Sequence, residues 1–282
     1  MSCMPTELQR SRSPHRKSRL AAMLLSTVAA LAVAIAPAHA ITNPTPDGDA
    51  HPYVGVLVDD FNTAGFYEPF CTATLVAPTL MVSSAHCFWG YPLDQVWVSF
   101  DPVYSPGPQP PVHATAVIHP DFPGLFGNGN GGLASQPDVA VLRLDEPVQI
   151  QPAQLPPGGY LNELDLRRAQ FDAVGYGMTR TDKTRGRHSL DDNFDPVVRN
   201  AGRMGFHSLQ PDFVQFSQNA AKGESGWCYG DSGGASFLAG TDIMLTLVTN
   251  NDNYCRARGV GARLDTVSIQ EFLASQGVPL PD

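Results

Sequence analysis

A serine, a histidine and an aspartate in separate stretches of this chain keep the company that hydrolytic chemistry requires. Ser232 lies in Gly230-Asp231-Ser232-Gly233-Gly234. A serine hydroxyl is a poor nucleophile unless a base takes its proton. Glycines on both sides permit a tight turn that presents the hydroxyl and aims N–H groups at one point. Such groups bind a developing oxyanion and are often worth about 3 kcal/mol of barrier. His86 stands in Val82-Ser83-Ser84-Ala85-His86-Cys87. A disulfide at the adjacent cysteine would pin its backbone, and the small residues before it leave room for a substrate. The imidazole needs a carboxylate to set its tautomer and stabilise the imidazolium. Asp138 precedes the alternating run Val139–Leu144, and an acid at the start of a strand can point inward while its neighbours pack.

The serine pentapeptide also fits G-x-S-x-G, the nucleophile elbow of α/β-hydrolases. That fold places its histidine after the serine, and no histidine follows Ser232. The base must come from upstream, where His51, His86, His113, His119, His188 and His207 are available. Only His86 is flanked by a cysteine and by small residues. A zinc site is disfavoured, because the chain has neither a C-x-x-C pair nor H-E-x-x-H. No metal and no cofactor are expected.

These residues need a scaffold. Short runs rich in β-branched and aromatic residues recur between turn signals: Tyr53–Val58, Thr72–Val76, Val96–Phe100, Ala114–Ile118, Val139–Leu144, Ala173–Tyr176, Phe213–Phe216 and Met244–Val248. Many short strands without intervening helical patterns predict an all-β sandwich or barrel. The 26 glycines and 25 prolines punctuate the chain accordingly. One helix is expected near Thr266–Leu273, with Val267, Ile269, Phe272 and Leu273 as its apolar positions and Gly277 beyond its end. The proline-rich stretch Gln151–Gly159 would join two halves, 41–157 and 158–282. Tyr104–Pro111, Gly124–Pro137 and Thr179–Asn200 read as exposed loops. No internal repeat is visible.

Residues 1–40 read as a signal peptide. Arg10, Arg12, Arg16, Lys17 and Arg19 form a basic region, Leu20 to Pro37 is nearly all apolar, and Ala38-His39-Ala40 is an A-x-A cleavage site. A membrane anchor is the rival reading; the A-x-A end favours cleavage and a secreted protein. Removing the leader takes away five basic residues and Glu7, leaving 13 Lys and Arg against 26 Asp and Glu. So acidic a surface repels phosphate backbones and disfavours nucleic acid as a partner. No later stretch is long and apolar enough to span a membrane, and the released protein is expected to be monomeric. Cys71, Cys87, Cys228 and Cys255 remain, an even number suited to an oxidising compartment. Four cysteines allow three pairings, and spacing does not choose among them.

The order His86, Asp138, Ser232 in A-H-C, D-V-A-V-L and G-D-S-G-G resembles the chymotrypsin/trypsin family of serine proteases. Leu75-Val76-Ala77-Pro78, His119-Pro120, Gly175-Tyr176-Gly177 and Gly259-Val260 extend the likeness from Ile41 to about Gly277. The resemblance implies two six-stranded antiparallel β-barrels with the active site between them and a C-terminal helix. His86 and Asp138 would lie on the first barrel and Ser232 on the second. It implies disulfides Cys71–Cys87 and Cys228–Cys255, and oxyanion donors at the N–H groups of Gly230 and Ser232. It implies that a new amino terminus at Ile41 would pair with Asp231. Cleavage after Ala40 would expose Ile41 directly, and no basic residue precedes it. Protein or peptide substrates follow.

The substrate pocket departs from the family pattern. The position six residues before the serine, where Lys/Arg specificity needs an acid, is Gly226. Glu224 is two residues earlier. Trp227 would intrude on the pocket. Thr249-Asn250-Asn251 stands where the family usually has Ser-Trp-Gly. Thr249 would help orient Asp138, and Asn251 would narrow the mouth, with Gly259 on the far wall. The family's calcium loop is not evident, since Tyr104–Pro111 has no acids. A secreted endopeptidase without Lys/Arg preference is the leading reading. A protease-fold binding or regulatory protein and an esterase are the alternatives.

Overall fold

The computed structural model describes residues 41–42, 44–61, 66–108, 111–124, 137–180, 197–252 and 254–281. The expected signal peptide, most of the loops 124–137 and 179–200, and His188 lie outside the described residues.

Six strands build a first barrel: β1 (Val54–Asp59), β2 (Glu68–Ala77), β3 (Leu80–Ser83), β4 (Val96–Ser99), β5 (Val112–Ile118) and β6 (Ala140–Leu144). They close in the order β1-β2-β3-β6-β5-β4, all antiparallel. Six more build a second: β7 (Phe171–Gly175), β8 (Asn200–Leu209), β9 (Phe213–Ser217), β10 (Ala235–Leu238), β11 (Met244–Asn251) and β12 (Arg258–Arg263). Its order is β7-β8-β9-β12-β11-β10, closed by the β7–β10 pairing and again antiparallel. The two barrels therefore share one connectivity, although their sequences show no repeat. Closure removes the sheet edges that an open sandwich would expose.

The strands form where valine, leucine and other apolar residues cluster. All of β1 and β3 is buried, and in β6 only Arg143 reaches solvent. Every strand expected from the sequence lies on an observed one, with ends shifted by a few residues. Four went unseen: β3, β8, β10 and β12. β8 and β12 each carry two glycines and several polar residues, so local propensity argues against them. Barrel closure overrides that propensity.

The chain ends cross between barrels. Thr45–Pro46 pairs with Asn200 and Ala201 of β8. The C-terminal helix Val267–Ser275 packs Ile269, Phe272 and Leu273 into the apolar cluster of the first barrel. The Phe272 ring lies 4.7 Å from that of His119, and Arg143 donates to the Gln276 carbonyl. Val267, expected on the buried face, is 74% exposed, because it is the first residue of the helix and points past the body. The proline-rich stretch is strapped to both barrels: Ala153 N–H donates to Leu75 O and Gln154 N–H to Asp242 O.

Arg199 anchors this crossing from within. It is 1% exposed. Its guanidinium donates to the Asp47 carboxylate, to the Gly48, Val54 and Phe100 carbonyls, and to the Tyr176 hydroxyl. Burial opposes the Asp47 charge, but His51 and Arg199 more than offset it and hold the carboxyl below its ordinary value. Arg199→Met should destabilise the protein by about 3–5 kcal/mol, since it leaves Asp47 with His51 alone and takes the donor from the Gly48, Val54 and Phe100 carbonyls. Urea unfolding would measure this, and a loss below about 1 kcal/mol would show that the network is not holding the segments together.

Candidate active site

His86 sits in a single 3₁₀ turn, Ala85–Phe88, that follows β3. Three side chains fix its surroundings. Ser83 Oγ donates to Thr72 O at 2.7 Å, Ser84 Oγ donates to Val248 O at 2.7 Å, and Cys87 is bonded to Cys71 of β2. β3 pairs with β6 so that Ser83 faces Ala140. That register carries Asp138 alongside Ala85 and His86. Asp138 is fully buried and accepts twice from one residue: His86 N–H to Oδ1 at 2.8 Å and His86 Nδ1 to Oδ2 at 2.7 Å. A carboxylate at Nδ1 places the proton there and leaves Nε2 as the acceptor. The ring is 13% exposed, so one edge meets solvent.

The serine turn is built from left-handed glycines at Gly230 (φ 90°) and Gly233 (φ 77°). It is docked on the first barrel. Thr72 N–H donates to Ser232 O at 2.8 Å, Thr72 Oγ1 donates to Gly230 O at 3.2 Å, and Cys87 Sγ lies 3.7 Å from Ser232 O. A Cβ on Gly233 would lie 2.0 Å from Ser83 Oγ and 2.4 Å from Thr72 O. Only glycine satisfies both that backbone and that space. Thr72 binds the serine turn through its N–H and hydroxyl and Ser83 through its carbonyl, and Ser83 and Cys87 lie in contact with both turns. Among the described residues, the turn's hydrogen bonds engage the Asp231, Gly233 and Gly234 N–H groups but not those of Gly230 and Ser232. The hydrogen bonds at His86 are those to Asp138; one from the Ser232 hydroxyl to Nε2 is not among them. Such bonds are often long without substrate and tighten when it binds.

Asp231 is fully buried between the turn and the Gly175–Gly177 loop. It accepts from Gly177 N–H and Cys228 N–H, each at 2.8 Å. A Cβ on Gly177 would lie 2.5 Å from Asp231 N. Burial pushes the Asp231 carboxyl up to about 7, against the two N–H donors that lower it. Ile41 pairs in parallel with Thr179, two residues beyond Gly177. Its side chain lies outside the described residues.

The expected pocket residues fare unevenly. Gly226, Trp227, Thr249 and Gly259 are all buried, and the Cys228–Cys255 disulfide forms beside them. Trp227 borders the space between the two glycines: a Cβ on Gly259 would lie 2.8 Å from its Cε3. Its ring joins the second barrel's core, edge-on to Phe216 at 5.3 Å, because that cluster offers it apolar cover. Its Nε1 is buried without an acceptor among the described residues. Thr249 does not orient Asp138: its hydroxyl donates to Val260 O across β11–β12. Asn251 faces Gly259 in that pairing, and its amide reaches Cys255 Sγ at 3.8 Å. Glu224 lies against Gly205 and accepts from Asn219 N–H and the Ser217 hydroxyl. Sequence reasoning missed Thr72, Ser83 and Gln218. Thr72 and Ser83 are ordinary strand residues, and nothing local marks them as a docking platform. Among the described residues, no group of three or more His, Cys, Asp or Glu side chains is placed to hold a metal ion.

Residues 43–268 match the family described as Trypsin. The fold is similar to that of the VesB protease of Vibrio cholerae: 16% identity, a TM-score of 0.58, covering 84% of this chain and 67% of that one. A search of curated proteins found no match. The chain belongs to the trypsin family. It is a serine-type endopeptidase, and its substrates are proteins or peptides.

The buried Asp231 gives the chain that retains residues 1–40 a distinct pH response. Its folded pKa is raised above the unfolded value near 3.9. The folded state then holds a proton that the unfolded state has lost, so this stability is present below about pH 4 and lost as the pH rises through about 7. Urea unfolding of the unprocessed chain across that range should show the decline, and Asp231→Asn should flatten it.

Proposed function

We propose that this is a secreted endopeptidase that works through an acyl-enzyme intermediate, with Ser232 as nucleophile, His86 as general base and acid, and Asp138 as the orienting carboxylate. The reading rests on one observation: His86 is locked to Asp138 through Nδ1, while its turn shares Thr72, Ser83 and Cys87 with the turn of Ser232. Residues 41–157 would form the unit that carries His86 and Asp138, and 158–282 the unit that carries Ser232.

The chemistry follows from the free positions. Nε2 takes the Ser232 proton as Oγ attacks the substrate carbonyl. The oxygen of the tetrahedral intermediate accepts from Gly230 and Ser232 N–H, which have no other partner among the described residues. Collapse breaks the C–N bond, and the imidazolium returns the proton to the leaving amine. Water then attacks the acyl-enzyme by the same route and restores the serine. Buried Asp138 stabilises the imidazolium in each step.

Maturation by signal cleavage belongs to the same reading. Cleavage after Ala40 would give Ile41 a free ammonium beside the strand that follows Gly177. That cation supplies the partner that a buried Asp231 carboxylate lacks. It holds the Gly230–Ser232 turn in its donating form. The ammonium must be protonated, so the pairing is present at lower pH and lost as the pH rises through its folded pKa. Gly226 gives no charge to bind a lysine or arginine side chain. Two disulfides suit the exterior of the cell. Among the described residues no helix is long and apolar enough to cross a membrane. The mature form acts as a soluble monomer.

Ser232→Ala and His86→Ala should each remove turnover on the order of 10⁶-fold while leaving the fold intact. Peptide cleavage assays with circular dichroism would check both. Substantial activity in Ser232→Ala would require another nucleophile. Amino-terminal sequencing of the active protein should begin at Ile41; any other start would defeat the maturation route.

A further inference from the structure

The side chain on the acyl side of the scissile bond would enter between Gly226 and Gly259, the glycines of the expected pocket. In this chain that space is filled. A Cβ on Gly226 would lie 2.1 Å from Gln218 Cγ, 2.2 Å from its Cδ and 2.3 Å from its Nε2. A Cβ on Gly259 would lie 2.8 Å from Gln218 Nε2 and 2.8 Å from Trp227 Cε3. Both glycines face the carboxamide of Gln218, with the Trp227 ring beside it.

Gln218 is held firmly. It follows the last residue of β9, its N–H donates to Ala257 O at 3.0 Å, and its Nε2 donates to Trp227 O at 3.2 Å. It is fully buried, so the amide cannot swing aside without opening the wall. Its Oε1 is buried with no donor among the described residues. An unpaired amide oxygen costs stability.

We propose that Gln218 is the specificity-determining residue and that it restricts cleavage to bonds following a small, uncharged residue such as alanine, glycine or serine. This rests on the endopeptidase reading above. A methyl or hydroxymethyl group stops short of the amide. A benzyl, isobutyl or lysyl chain would have to displace a buried side chain hydrogen-bonded to the main chain.

Quenched fluorescent peptides differing only in the residue before the scissile bond test this on the purified, naturally processed protein. The alanine peptide should exceed the phenylalanine and lysine peptides by roughly 100-fold in kcat/KM, the scale on which a pocket rejects excess methylenes. Gln218→Ala should narrow the alanine-to-phenylalanine gap at least tenfold by gaining phenylalanine turnover. Equal cleavage after phenylalanine or lysine by the parent protein would overturn the proposal without needing a variant. So would an unchanged ratio in a Gln218→Ala protein that a fluorophosphonate labels at the parent rate. If that variant fails to fold, the parent profile decides. Absence of both labelling and cleavage in the parent would instead defeat the endopeptidase reading itself.

Discussion

The site depends on the close docking of the Gly230–Gly234 turn against the first barrel. Thr72 binds it through N–H and hydroxyl, and Ser83 approaches Gly233 so closely that no side chain fits between them. The same Ser83 and Thr72 are hydrogen-bonded to each other at the base of the histidine turn. Histidine and serine turns are therefore referenced to one pair of residues. A shift between barrels would have to break buried hydrogen bonds whose groups have no water to replace them.

This explains why so much of the chain serves alignment. The Cys71–Cys87 bridge ties the platform strand to the histidine turn, and Cys228–Cys255 ties the serine turn to β12's approach. The exchanged termini, the strapped linker and the Arg199 network all cross from one barrel to the other. A reaction that needs a hydroxyl within reach of one imidazole nitrogen tolerates little drift. Two barrels joined by a single chain segment would not supply that rigidity.

Asp231 and Gln218 show buried polar groups put to different ends. Asp231 is solvated by two backbone N–H groups, and burial drives its carboxyl toward neutrality until a cation arrives. Gln218 keeps one amide end bonded and the other orphaned, and fills space that a substrate side chain would otherwise take.

Much was legible in the residues themselves. His86, Asp138 and Ser232 stand out because each needs particular neighbours, and those neighbours are adjacent in sequence: a cysteine, an apolar strand, a pair of glycines. The valine-rich strands announce themselves by their short β-branched and aromatic runs between turn residues. The shared connectivity of the barrels, the strands β8 and β12, the docking roles of Thr72 and Ser83, and the obstruction at Gln218 arise only in three dimensions. So does the packing of the Trp227 ring between Phe216 and the Gly259 strand. Each of these is decided by contacts between residues far apart in the chain, where packing and barrel closure outweigh local propensity, and no short motif records them.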